Sequence, residues 1–203
     1  STPKPSSAAS DVYKRQLKDY SFKYPRQVDL ANEDSIDKFS SEVKNDGVKV
    51  DALINNAGAF LNKPFEKISK KEFEYIFQVN VFGLSSITRK VLPIIDSKGH
   101  IVNITSMGGI NGAAKFTGLS AYSSSKGAVN ILTELLAEEY KEKGPSFNAL
   151  AFGAVQTEML EEAFPGYKAP VSAAQIGEYI IDFALNGHQF YNGKVLPISS
   201  STP

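Results

Sequence analysis

The chain has 203 residues, with 22 Lys and Arg balancing 22 Asp and Glu, 42% hydrophobic residues, two His and no Cys, which describes one ordinary globular domain. Without cysteine there is no disulfide framework or thiolate site, and two isolated imidazoles, His100 and His188, make no zinc cluster, so no metal is expected. Interspersed charges of both signs lack the one-sided basic footprint of a nucleic-acid binder, and no apolar run approaches a membrane span or a signal core. A cytoplasmic protein with neither nucleic-acid nor membrane partners is the expectation.

Residues 1–16, STPKPSSAASDVYKRQ, are small and polar, and Ser6 to Gln16 can be encoded by the adapter of transposase-prepared sequencing libraries read in frame. They are expected to be a non-native tail, leaving residues 17–203 as a single domain cut at its N-terminus. Gln27 to Leu30 reads as a short strand with Asp29 near its end. Asn32-Glu33-Asp34-Ser35 then supplies cap chemistry for the helical positions Ile36, Phe39 and Val43. Val50 to Ile54 is a mostly apolar run stopped by Asn55-Asn56-Ala57-Gly58, as in a buried parallel strand giving way to a loop.

Ser69-Lys70-Lys71-Glu72 is a capping-box pattern. Phe73, Ile76, Phe77, Asn80, Val81, Leu84, Ile87 and Val91 continue it at helical spacing to Pro93, predicting one long helix. His100 to Thr105 is a second central strand, and Ser106-Met107-Gly108-Gly109 opens a loop reaching Ser120, which caps the next helix. That helix runs from Ala121 to about Lys143, where Gly144-Pro145 ends it. Ser146 to Ala151 supplies a third strand, Gly153 to Pro170 is irregular with a short helical piece, a helix follows from Ser172 to about Leu185, and a last strand lies near Lys194 to Pro197. Alternating strands and helices predict an α/β doubly wound parallel sheet with helices on both faces, whose ligands bind at the carboxyl ends of the strands.

Tyr122 and Lys126 stand one helical turn apart, so a phenol and an ammonium project from the same face. Alone, such a pair suits a solvated helix surface as well as a site. Asn55-Asn56-Ala57-Gly58 after a buried strand, Asn80 within a helix, Ser106 at a strand end and Tyr122-x-x-x-Lys126 follow in the order found in the short-chain dehydrogenase/reductase family. The chain resembles that family from about Gln27 to Pro197.

The resemblance implies a Rossmann-like fold, NAD or NADP as cofactor, a small-molecule carbonyl or alcohol as substrate and a homodimer or homotetramer. It also assigns roles residue by residue. Tyr122 is the general acid/base, moved toward working pH by a neighbouring ammonium and an oxidised nicotinamide. Lys126 supplies that field and binds the ribose hydroxyls, while Ser106 donates to the reacting oxygen. Asn80 opens its helix so that a carbonyl holds a water linking Lys126 to solvent. Asp29 accepts from the adenine amino group, and Asn56, Ala57 and Gly58 let the backbone pass the adenosine ribose. Val155 and Thr157 meet the nicotinamide carboxamide.

Three features depart from the family pattern. Phe152 stands where the family has Pro before Gly153. The interval from Ser106 to Tyr122 is long, predicting an enlarged loop over Asn111 to Thr117 beside the substrate pocket. No Gly-rich phosphate turn precedes Asp29, so a first strand-helix unit is expected to be missing. The 107–120 loop and the 158–170 segment, with Met159, Leu160, Phe164 and Tyr167, are expected to form an apolar pocket. An NAD(P)-dependent oxidoreductase is the principal expectation, and an inert fragment or a non-enzymatic binding protein of the same fold is the alternative.

Overall fold

The computed structural model describes residues 26–47 and 49–199. The segment expected to be a tail, residues 1–16, lies outside them. Helix α1 (Glu33–Asn45) begins where Asn32 accepts from the Ser35 amide and carries Glu33 and Asp34 in its first turn, favourable to its dipole. Strand β1 (Val50–Asn55) leads into a loop, and helix α2 (Lys70–Phe77) opens with the expected reciprocal capping box between Ser69 and Glu72. A π-helical stretch, Gln78–Gly83, joins α2 to α3 (Leu84–Val91), so the single helix expected here is interrupted at Asn80.

Strand β2 (Ile95–Ser106) is followed by a tight turn at Met107–Gly109, and the long helix α4 spans Ser120–Glu139. Strand β3 (Ser146–Phe152), short helix α5 (Glu158–Ala163), helix α6 (Ala173–Asn186), capped by Ser172, and strand β4 (Lys194–Ile198) complete the order. Helix α4 stops before Lys143 because Gly144 donates back to the Tyr140 carbonyl at 2.8 Å. Ser120 does not cap it: Leu119 holds that position and Ser120 is already helical.

The four strands are all parallel in the order β1-β2-β3-β4, with Ile54 beside Val102 and Val102 beside Asn148. Side-chain alternation divides the core in two. On one face Ile101 and Phe147 pack with Ile36, Ile87, Val91 and Ala137 from α1, α3 and α4. On the other, Val102 and Leu150 pack with Phe183 and Ala184 of α6. The expected α/β architecture is therefore present.

Gln27 to Leu30 is a correction. It forms no strand, because no ladder partner lies beside it among the described residues. Val28 and Leu30 still pack against the core, and the backbone then turns with the Asp29 carbonyl accepting from Asn32. Asp29 is consequently an exposed turn residue whose carboxylate accepts from the Ala31 amide at 2.9 Å.

Candidate active site

The carboxyl ends of β1 and β2 and the first turns of α4 bring Asn80, Ser106, Tyr122 and Lys126 together. Ser106 ends β2, and its hydroxyl accepts from the Gly108 amide at 3.2 Å. The turn that follows lies hard against α4: a Cβ on Gly109 would stand 2.7 Å from the Gly127 nitrogen, and one on Gly108 would stand 2.7 Å from Ser123 Oγ. Asn130 Nδ2 closes this seam by donating to the Gly109 carbonyl at 3.1 Å. Glycine at 108 and 109 is thus what lets the Ser106 turn dock on the helix that carries Tyr122.

Lys126 is buried and donates to the Ile104 carbonyl at 2.9 Å, with Nζ 5.8 Å from the centre of the Tyr122 ring. Burial draws its pKa down to about 8. Burial also pushes the Tyr122 phenol up to about 12, partly offset by a hydrogen bond with the Ser106 hydroxyl. The Lys126 ammonium, the part of the expected lowering that the chain itself supplies, does not offset this burial. The ammonium lies over the ring face and is committed to a carbonyl, so loss of hydration dominates the phenol.

Asn80 is completely buried in the π-helical stretch and grips one residue of the loop after β1. Its Oδ1 accepts from the Ala59 amide at 2.7 Å, and its Nδ2 donates to the Ala59 carbonyl at 3.0 Å and to Ser125 Oγ at 2.9 Å. Gly58 passes between Asn80 and Lys126. A Cβ there would stand 3.2 Å from Asn80 Oδ1 and 3.3 Å from Lys126 Nζ.

The remaining candidates lie on the loops and turns at element ends. Asn56 and Ala57 are exposed at the end of β1, and Leu30, the residue after Asp29, lies against Gly83 of the π-helical stretch, where a Cβ would stand only 2.2 Å from the Leu30 carbonyl oxygen. Val155 is half-buried after β3. Thr157 is exposed and caps α5, its hydroxyl accepting from the Leu160 amide at 3.2 Å.

Two sets of residues went unrecognised in the sequence. Asn55 Nδ2 donates to Thr88 Oγ1 at 3.0 Å and Asn103 Oδ1 at 2.8 Å, and Asn103 donates to Thr133 at 2.9 Å. This buried chain crosses the sheet from α3 to α4 just behind the strand ends. An amide inside each apolar strand pattern was its available signal. The second set is Phe60, Asn62 and Lys63 on the loop after Gly58, which carries no motif.

The expected pocket is only partly formed as anticipated. Phe116 of the 107–120 loop meets Phe164 edge-on, with ring centres 5.2 Å apart. A groove of about 480 Å³ lies along the same loop, but its walls are Pro64, Phe65, Lys115, Phe116 and Leu119 among others, and neither Tyr122 nor the 158–170 segment lines it. It opens outward from the loop and is not the space above the phenol.

A dinucleotide's nicotinamide end suits this donor set. A buried ammonium has three N–H donors and gives one to Ile104, leaving two for a polyol such as ribose. Glycine at 58 leaves open the channel that a Cβ would narrow.

The family model described as short chain dehydrogenase matches residues 6–168. The chain belongs to that family. Among curated relatives, the L-2,3-butanediol dehydrogenase of Corynebacterium glutamicum is 36% identical over 138 residues, covering 66% of this chain and 52% of that protein. The cyclopentanol dehydrogenase of Comamonas testosteroni is 32% identical over 148 residues, covering 72% and 57%. The chain spans little more than half the length of these relatives. A solved structure, 4-hydroxyisoleucine dehydrogenase complexed with NADH, superposes with a TM-score of 0.74 at 25% identity, covering 87% of this chain and 79% of that one. The Pseudomonas aeruginosa RhlG/NADP active-site complex shares the fold with a TM-score of 0.80 at 22% identity, covering 97% and 82%. Among the described residues no helix is long and apolar enough to cross a membrane.

Proposed function

We propose that this short-chain dehydrogenase is an NAD(P)-dependent oxidoreductase that interconverts an alcohol and a carbonyl, with Tyr122 as general acid/base. The observation that carries this reading is the convergence of the Tyr122 phenol with Ser106 and with the buried Lys126 ammonium at the strand ends. Bound nicotinamide supplies or accepts the hydride. In carbonyl reduction Tyr122 gives its proton to the oxygen that becomes the hydroxyl, and a phenol held near 12 is fully protonated and ready to do so. Ser106 donates to the same oxygen as negative charge grows there. Lys126 holds the ribose and, in alcohol oxidation, favours the phenolate. Asp29, Asn56, Ala57 and Gly58 line the path of the adenosine half, and Val155 and Thr157 face the carboxamide.

The substrate class that suits the walls is a neutral, apolar carbonyl compound of medium size. Phe60, Phe116 and Phe164 surround the approach, while exposed Glu158, Glu161 and Glu162 on α5 disfavour anionic substrates. Phe82, Ile131 and Leu135 are 57%, 58% and 61% exposed on the π-helical stretch and on α4. They suit association with a second copy through those helices, as a homodimer or half of a homotetramer. The test is a panel of neutral ketones and secondary alcohols with each nicotinamide, following the reduced cofactor's absorbance. Stereospecific deuterium transfer from labelled cofactor to product supports the reading, and no turnover of any panel member by the full-length protein contradicts it.

A further inference from the structure

Within five residues the loop after Gly58 touches Asn80, Tyr122, α5, the 110–119 loop and α2. Ala59 is gripped by Asn80 through both of its backbone groups. Phe60 meets the Tyr122 ring edge-on, with ring centres 5.1 Å apart at 68°. Asn62 Nδ2 donates to the Ala163 carbonyl, the last residue of α5, at 3.2 Å. Its Oδ1 occupies the space beside Gly118, where a Cβ would stand 2.0 Å away and where φ is +85°. The Lys63 amide donates to the Gly118 carbonyl at 2.9 Å, and the Lys63 ammonium pairs with Glu72, which also closes the α2 capping box.

We infer that residues 59–63 form a strap that positions the reacting phenol and the substrate lid together, Phe60 acting on Tyr122 and Asn62 on α5 and the 110–119 loop. This rests on the proposed role of Tyr122 but reaches beyond it, because neither Phe60 nor Asn62 touches the reacting atoms. Phe60 fixes the phenol in two ways. Its edge contact restrains the ring's tilt, and its bulk keeps water from one side of a group that burial holds protonated. Asn62 joins the two lid elements through one exposed hydrogen bond and one close packing contact. A single exposed bond is worth about 1 kcal/mol, weak enough for a lid that must open as well as close. The Phe116–Phe164 contact lies across the same seam, so the aromatic walls and the strap close as one unit.

The test uses the full chain with 13C-labelled tyrosine rings, the Tyr122 signal being assigned by its loss in Tyr122→Phe. In Phe60→Leu the Tyr122 titration midpoint should fall from near 12 toward the ordinary phenol value by at least half a pH unit. In Phe60→Tyr, which keeps the ring, it should stay in place. In Asn62→Ala, amide hydrogen exchange over 158–168 and 112–119 should quicken several-fold while β2 and β3 stay protected. Should Phe60→Leu fail to fold, Phe60→Met serves the same comparison. An unmoved Tyr122 midpoint in Phe60→Leu, or in Phe60→Met where that replaces it, or unchanged exchange in Asn62→Ala, overturns the strap. These readings need no turnover, so they separate failure of the strap from failure of the proposed chemistry. In active protein, Phe60→Leu should lower kcat, and Asn62→Ala should raise the carbonyl substrate's KM with dinucleotide affinity unchanged.

Discussion

The side-chain amide of Asn80 pairs with the backbone of Ala59 as a neighbouring strand would, accepting from its N–H at 2.7 Å and donating to its C=O at 3.0 Å. A local widening of the helix at 78–83 coincides with this grip and places the amide facing the loop. Replacing Asn80 with Ala leaves part-buried backbone groups of Ala59 and the buried Ser125 hydroxyl without this partner, at a cost of about 1–3 kcal/mol. Asn80→Asp keeps the acceptor and loses the donor, so it should also destabilise. Urea unfolding of both variants checks this, and a change below a few tenths of a kcal/mol in Asn80→Ala contradicts it.

Gly83 sits at the far end of the same stretch, where a Cβ would meet a backbone carbonyl that no rotamer change can move aside. Gly83→Ala should therefore destabilise by about 1–3 kcal/mol, as overpacking does. Because Leu30 must shift, the Asp29 turn shifts with it. Calorimetric titration should show weakened dinucleotide binding, with kcat at saturating cofactor much less affected. Unchanged affinity would detach the Asp29 turn from the adenosine site.

His100 is completely buried at the opposite end of the sheet from Tyr122. Its Nδ1 lies 3.1 Å from the Ala184 carbonyl and its Nε2 2.9 Å from Asn148 Nδ2, so the ring donates to the first and accepts from the second. Burial, aided by the neighbouring His188, lowers its pKa from 6.5 to about 4. The unfolded chain then binds a proton that the folded chain refuses between those values. Stability should fall as pH drops from 6.5 to about 4, by about 3 kcal/mol from this residue, and level off below. Urea unfolding across that range should show the slope, and His100→Gln, which cannot titrate, should remove it.

Local chemistry was legible in the sequence at several positions whose partners lie within a turn or two, Ser120, which lies inside α4 and does not cap it, being an exception. Asn32 and Ser69 cap their helices as expected, and Tyr122 and Lys126 share a helix face. The Asn55 to Gly58 turn does end a strand, but β1 is not the buried strand expected: it lies at the end of the strand order among the described residues, and of its residues only Asn55 is buried. What escaped depends on contacts distant in sequence. An opening of the helix at Asn80 was implied by the resemblance, but no pattern around Asn80 announces that its side chain meets Ala59. Gln27 to Leu30 has strand composition, but a strand also needs a neighbour, which composition does not supply. Phe60 and Asn62 read as ordinary loop residues until Tyr122 and α5 fold against them. The phenol's upward shift likewise follows from burial, whereas the spacing to Lys126 reports only proximity.

Lys126 titrates within reach of experiment, since burial brings it down to about 8. Its charge is present below that pH and is lost as pH rises through it. Dinucleotide affinity should be level up to about pH 7 and weaken above 8. Lys126→Ala should show the weak affinity at every pH and reduced turnover as well. Fluorescence titration of the bound cofactor provides the measurement, and a Lys126→Ala variant with unaltered affinity contradicts the ribose role.

The proton carried by Tyr122 is the centre of the proposed chemistry, and Tyr122→Phe removes that oxygen while keeping the ring that packs on Phe60. Steady-state carbonyl reduction by the full-length protein, measured for this variant beside the wild type, tests the claim most directly. Turnover should fall by at least about 100-fold, as loss of a general acid/base does, with dinucleotide affinity nearly unchanged. Turnover close to the wild-type value would remove Tyr122 from the mechanism.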